Sequence, residues 1–408
     1  MWKRIRRLFG GSPEDAFADE VLGIVRAVPE VTGAERDGDE FVIVYKIGER
    51  GGRIALHNLF HEMHELDAGE RRKRLRLLIG AMMTTTEAPR DWESVREALR
   101  PVLRSMSFVG NPDMSSMSPV WRGFSPFLAE LVVIDAPTTM SYVTRADLDR
   151  WGISPVEALR AARGNLPIET AMIRAQTGGD EDDATWMVHS QDSYESSRLL
   201  LPGWLASFGD KVGGTPVAIV PHRGMLWVTS AESHAHVQIL IDAAAKEFDD
   251  SPRAISPALY TIDGDGGVVP FEVERTHPLV DKIRAGHLRL ADHEYGVQQQ
   301  RLEAELERDG VDLFVASFRV LESEGGPRHS FCVWGHQVPS LLPEADLVAV
   351  FDDDAENPVF VPWDVVRGKV GAMWQPWDAA PSRVRTEGYP AGPQLSELRA
   401  RAVFLDGN

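Results

Sequence analysis

The stretch HNLFHEMHEL, residues 57–66, sets His57, His61 and His64 within eight residues. Wound as a helix, the three rings fall within about 60° of one another, on one stripe. A metal held there would take two of them and a third ligand, which Glu65 or a distant carboxylate could supply, and the chemistry would be that of a metal-dependent hydrolase. The zinc-protease pattern H-E-x-x-H is not met. His61-Glu62 is followed by His64 one position early, and Glu65 stands where the second histidine belongs. Leu56, Leu59, Phe60, Met63 and Leu66 gather almost opposite the stripe, so the favoured reading is a solvated helix face.

A second candidate follows at once. Arg71, Arg72, Lys73, Arg74 and Arg76 are dense for an acidic chain. They could receive a phosphate-bearing ligand, an anionic lipid surface or an acidic partner. The alternative, and the favoured one, packs Leu75, Leu77, Leu78 and Ile79 while the cations stay solvated or pair with acidic neighbours. A third lies in QDSYESSR. Asp192 with Glu195 three residues on has the spacing of a helix cap, and Ser193 can share that role. Tyr194 and Arg198 could instead face a cleft with Asp192 and contact a small ligand. There is no G-x-S-x-G turn to activate a serine. GDGG, residues 264–267, lacks the spacing of a calcium loop, and no Walker or dinucleotide glycine pattern occurs. No cofactor is expected. In HSFCVWGH, strand alternation puts His329 across from Cys332, whose expected role is that of a buried structural residue.

Charge narrows the classes. The 408 residues carry a net charge of −19, which disfavours sequence-independent binding to nucleic acid. Residues 1–9, MWKRIRRLF, run against the trend: Lys3, Arg4, Arg6 and Arg7 hold +4, leaving −23 on the remainder (−19 less 4). At about 100° per residue, Met1, Trp2, Ile5, Leu8 and Phe9 share one arc and the cations the other, the pattern of a short interfacial anchor. Weak contact with an anionic membrane surface is one expectation. A tail docked on the acidic body of the same protein is the other. One cysteine and no secretory leader point to the cytoplasm, with the segment able to reach the inner face of the membrane. No apolar run approaches the roughly 18 residues of a spanning helix.

The elements that must position these residues form a mixed α/β pattern. A helix is expected from Ser12-Pro13 to about Val28, a strand at 40–46, the histidine helix after Gly51-Gly52, and a helix at 70–83. A connecting helix is expected at Trp92–Leu103 and a loop at 111–119. Strands follow at 128–135, 141–144 and 185–190. Ser154, Pro155, Glu157 and Gly164 mark a capped helix. TPVAIVPHRGMLWVTS reads as a hairpin with Gly224 at positive φ, TIDGDGGVVPFEV as another, and 236–248 as a helix. The polar, glutamine-rich stretch from Asp281 to Arg308 reads as a helical connector, and the last hundred residues as a small β-rich domain.

RSMSF (104–108), RADLDRWGISPVEALRAARGNLP, HSQDSYESSRLLLP (189–202) and VAIVPHRGMLWV (217–228) occur in this order. They resemble the YtpQ-like family of bacterial cytoplasmic proteins, most clearly from about Arg104 to Glu272. The resemblance implies a bacterial cytoplasmic α/β protein and brings no activity, cofactor or catalytic residue with it.

The expected fold is therefore mixed α/β and multidomain, with a central mixed sheet, flanking helices and a small C-terminal β-rich domain. The segments are 1–13 (basic segment and linker), 14–105 (α/β unit), 106–275 (central domain), 276–310 (helical connector) and 311–408. The expected function is that of a non-catalytic accessory or binding protein with a protein partner or small ligand. The alternatives are the hydrolase on His57, His61 and His64 and a membrane adaptor working through residues 1–9.

Overall fold

The computed structural model describes residues 13–36, 41–48, 50–64, 66–83, 91–109, 119–136, 140–175, 185–190, 192–251, 253–321, 328–336, 338–351 and 358–403. The basic segment 1–9, the acidic stretch 178–183 and most of the loop expected at 111–119 lie outside them. The chain forms two compact units. Unit 1 takes Met1–Val95 with Asp135–Ser141 and Ser251–Arg253, and unit 2 takes the rest. Helices and sheets alternate in both, a mixed α/β fold.

In unit 1, helix α1 (Pro13–Arg26) starts on a proline whose fixed φ suits the first turn, with Glu14 and Asp15 beside the N-terminal dipole. Its buried residues Phe17, Ala18, Val21, Ile24 and Val25 recur at helical spacing and give it one apolar stripe. Strands β1 (Gly33–Arg36), β2 (Val42–Ile47) and β3 (Arg50–Ala55) form an antiparallel meander. Helices α2 (His57–Met63) and α3 (Ala68–Met83) complete the unit. The core joins α1 to Ile43, Ile54, Leu56, Leu59, Met63, Leu75 and Ile79. Phe60 meets Phe17 and Phe41 edge-on, with ring centres 5.3 and 5.9 Å apart.

In unit 2 the helix expected at Trp92–Leu103 stops early. Only Trp92–Val95, at the end of unit 1, and a 3-10 turn at Arg96–Ala98 are helical, and Leu99–Ser105 is a strand. Pro101 lacks the N–H and clashes with the preceding turn of a helix, whereas Leu99, Val102 and Leu103 are buried as strand residues. This strand pairs in register with Leu128–Asp135, from Leu99 opposite Ile134 to Ser105 opposite Leu128. A six-stranded sheet runs in the order Val268–Pro270, Ala254–Ile262, Pro216–His222, Trp227–Ser230, Thr185–Val188, Met172–Ala175. Every pairing in it is antiparallel, so the mixed pairing expected there is found instead among the C-terminal strands. The hairpin at 216–230 forms as expected, but Gly224 does not take positive φ. The turn is closed by Met225 N–H donating to the His222 carbonyl and Gly224 N–H to the His222 ring.

The stretch 276–310 is dominated by one 30-residue helix, Val280–Asp309. Leu290 joins the core of the six-stranded sheet, while Leu288, Ala291 and Tyr295 join that of the C-terminal strands. The helix approaches the strand Ala254–Ile262 so closely that a Cβ on Gly286 would stand 2.9 Å from the Pro257 carbonyl oxygen. Beyond it, two four-stranded sheets each contain one parallel pair: Phe314–Val315 with Ser340–Pro343, and His329–Val333 with Leu347–Val350. Cys332 is fully buried among them, and burial pushes its thiol up to about 12.

Candidate functional site

Two open recesses lie along α3. One, of about 690 Å³, runs between α1 and α3. Gly23 and Ile24 of α1, Ala27 just past its end and Gly80 of α3 line it, and a Cβ added at Gly23 or Gly80 would meet nothing within 4 Å. Asp19, Glu20 and Glu30 give it acid, Arg72 and Arg76 base. The other, of about 460 Å³, is lined by Ala68, Gly69, Arg72, Lys73, Arg76 and Leu77. Arg72 and Arg76, one helical turn apart, border both.

The basic run divides between these recesses and internal pairing. Arg71 donates through Nε to Glu20 Oε2 at 2.9 Å and through Nη1 to the Leu66 carbonyl at 3.3 Å. Arg72 Nε reaches the other oxygen of Glu20 at 3.3 Å, and Arg74 pairs with Glu70 one turn back at 3.0 Å. Lys73 and Arg76 are exposed and make no ion pair with a described residue. With Arg72 and the 68% exposed Leu77 they fill an arc of about 140° on α3. Leu75 and Ile79 are in the core, but Leu77 is not. This arrangement can bind an anion from several sides.

Of the histidines, His64 is exposed, as the helical stripe implies. Its ring stacks on Phe60 at 5.1 Å, and its Nδ1–H donates to the Phe60 carbonyl at 3.1 Å. The side chains of His57 and His61 lie outside the described structure. Among the described residues no three His, Cys, Asp or Glu side chains converge as a metal site.

Asp192, Tyr194 and Arg198 do come together, in unit 2, but not as the expected helix cap. The 3-10 turn Ser196–Leu200 has no side-chain cap. Asp192 instead accepts from the Tyr194 N–H at 2.9 Å across Ser193, which takes a left-handed φ of 65°. Arg198, 2% exposed, donates both terminal nitrogens to the Asp192 oxygens and Nε to Thr170. Burial alone would raise the Asp192 carboxyl, yet Arg198, the Ser190 hydroxyl and the Tyr194 N–H hold it down at about 2. Tyr194 packs in the core of the six-stranded sheet.

Three further buried charges escape a reading of the sequence. Glu130, fully buried, accepts from Arg122 and twice from Arg163 at 2.5 to 2.6 Å. Glu294, fully buried on the long helix, accepts from the N–H and hydroxyl of Ser107 at 2.6 and 3.0 Å. Burial pushes each carboxyl up to about 7 against its donors. Arg383, 2% exposed, donates to the Gln298 side chain and to the Ala316 and Leu341 carbonyls. The available signal was a four-residue repeat: Glu294 and Gln298 sit in line with the buried Leu290 and Leu302.

These features define a mixed α/β protein whose buried charges are hydrogen-bonded within unit 2 and whose open cationic face lies in unit 1. No helix among the described residues is long and apolar enough to cross a membrane. No family model matches the chain, and no solved structure matches it. Among curated proteins, a UPF0354 protein of Listeria innocua is 25% identical over 166 residues, 39% of this chain. The match spans 60% of that relative's length.

Proposed function

We propose that this is a non-catalytic accessory protein of the cytoplasm that binds an anionic partner on the exposed face of α3. One observation carries the reading. Lys73 stands beside the smaller recess and Arg76 beside both, neither in an ion pair with a described residue, while Asp192, Glu130 and Glu294 are each occupied by donors of their own unit. A net charge of −19 disfavours the approach of anions to the chain as a whole, so exposed cations that pair with no described carboxylate are where an anion can approach.

Calorimetric titration with tripolyphosphate tests this. The wild-type chain should bind it saturably and more weakly as salt rises. Lys73→Ala/Arg76→Ala should weaken binding by about tenfold or more, as loss of two charge-assisted contacts implies, with an unchanged melting temperature. Equal binding by the variant overturns the reading.

A further inference from the structure

Leu77 is out of place on a helix face that meets only water. It is 68% exposed, projects beside Lys73 and Arg76, and lines the smaller recess with them. A soluble anion would use the cations and leave the leucine wet. A surface with charge outside and hydrocarbon beneath would use both, because cations rest at headgroup level while an apolar side chain enters the acyl boundary.

We infer that the α3 face of Arg72, Lys73, Arg76 and Leu77 docks on an anionic lipid bilayer, with Leu77 inserted between headgroups. The inference rests on the reading of this face as an anion-binding surface and names where the anion is carried. Charge complementarity selects the occupant. The chain as a whole is held off a negative surface by its own −19, so contact must come through a local basic patch, and α3 presents one. No charged headgroup need enter the protein, since the recesses open along the helix. Gly69 and Gly80, on the same arc, leave the cations unobstructed.

Flotation of the full-length chain with phosphatidylglycerol and phosphatidylcholine vesicles tests it. Binding is expected to the first and not to the second. Lys73→Glu/Arg76→Glu should lower the partition coefficient more than about tenfold at low salt, since each cation near such a surface is worth about fivefold. Leu77→Glu should lower it several-fold at both low and high salt, where loss of charge alone would be screened. A Trp2→Ala/Arg6→Glu chain separates the contribution of residues 1–9. If that chain loses all binding while both α3 variants float like wild type, the bilayer contact is not on α3 and the inference falls. If tripolyphosphate binds but phosphatidylglycerol vesicles do not, the inference also falls and the anion site stands. All substituted positions on α3 are exposed, and unchanged thermal melting confirms that the variants are folded.

Discussion

Arg198 and Asp192 form a two-pronged ion pair, with Nη1 2.8 Å from Oδ1 and Nη2 2.5 Å from Oδ2, in which the arginine is 2% exposed and the aspartate side chain 36%. The buried partner therefore depends on the more exposed one. Asp192→Ala would strand a guanidinium in the interior, and the expected loss of stability is about 3 kcal/mol, more than the ~1 kcal/mol of a helix cap. Asp192→Asn keeps one acceptor and should lose less. Denaturant midpoints decide between pair and cap. Because the folded carboxyl is held at about 2, below its ordinary value of 3.8, this contribution is present above about pH 4 and disappears as pH falls toward 2.

Glu294 should make stability fall in the opposite direction along the pH axis. Its folded carboxyl is pushed by burial from 4.5 up to about 7, so between those values the folded state holds the extra proton. Stability then decreases as pH rises through this window. Glu294→Gln retains acceptor and donor for Ser107 but cannot titrate. The difference in unfolding free energy between wild type and Glu294→Gln should therefore change between pH 4.5 and 7, while Glu130, common to both chains, cancels. A pH-independent difference would mean that Glu294 remains ionised in the fold.

Gly286 reverses the usual rule for a helix interior. Replacing glycine with alanine there ordinarily gains up to about 1 kcal/mol. Here the new methyl would stand 2.9 Å from the Pro257 carbonyl oxygen, a backbone atom that cannot swing aside. Gly286→Ala should cost about 1 to 3 kcal/mol as the long helix is forced off the sheet. A stabilised variant in chemical denaturation would show that helix and strand are not held at this distance.

What was legible in the sequence was local. The α1 start at Pro13, the Ser154 cap accepting from Glu157 N–H at 3.2 Å, and the existence of both hairpins, though not the positive φ expected at Gly224, follow from local residue types and spacing. The strand at Leu99–Ser105, where a helix is expected, is decided by Pro101 and by tertiary pairing with Leu128–Asp135, which local residue types do not show. Glu294 was illegible for a different reason: its partner Ser107 is 187 residues away. The Asp192 phrase has the spacing of a cap, yet beside a left-handed Ser193 its carboxylate pairs with Arg198, six residues on. On α3 the run of cations was plain. Which of them are spent on Glu20 and Glu70, and which are left beside open recesses, required the packing of α1 against α3.

Amide hydrogen exchange of the full-length chain with and without tripolyphosphate tests most directly whether the working surface is in unit 1. Ligand that binds the native state suppresses local opening where it binds. Slowed exchange is expected in peptides spanning residues 68–80 of α3, with residues 189–200 unchanged. Slowed exchange confined to 189–200, with α3 unaffected, would place the binding site at the Asp192–Arg198 pair and contradict the assignment to α3.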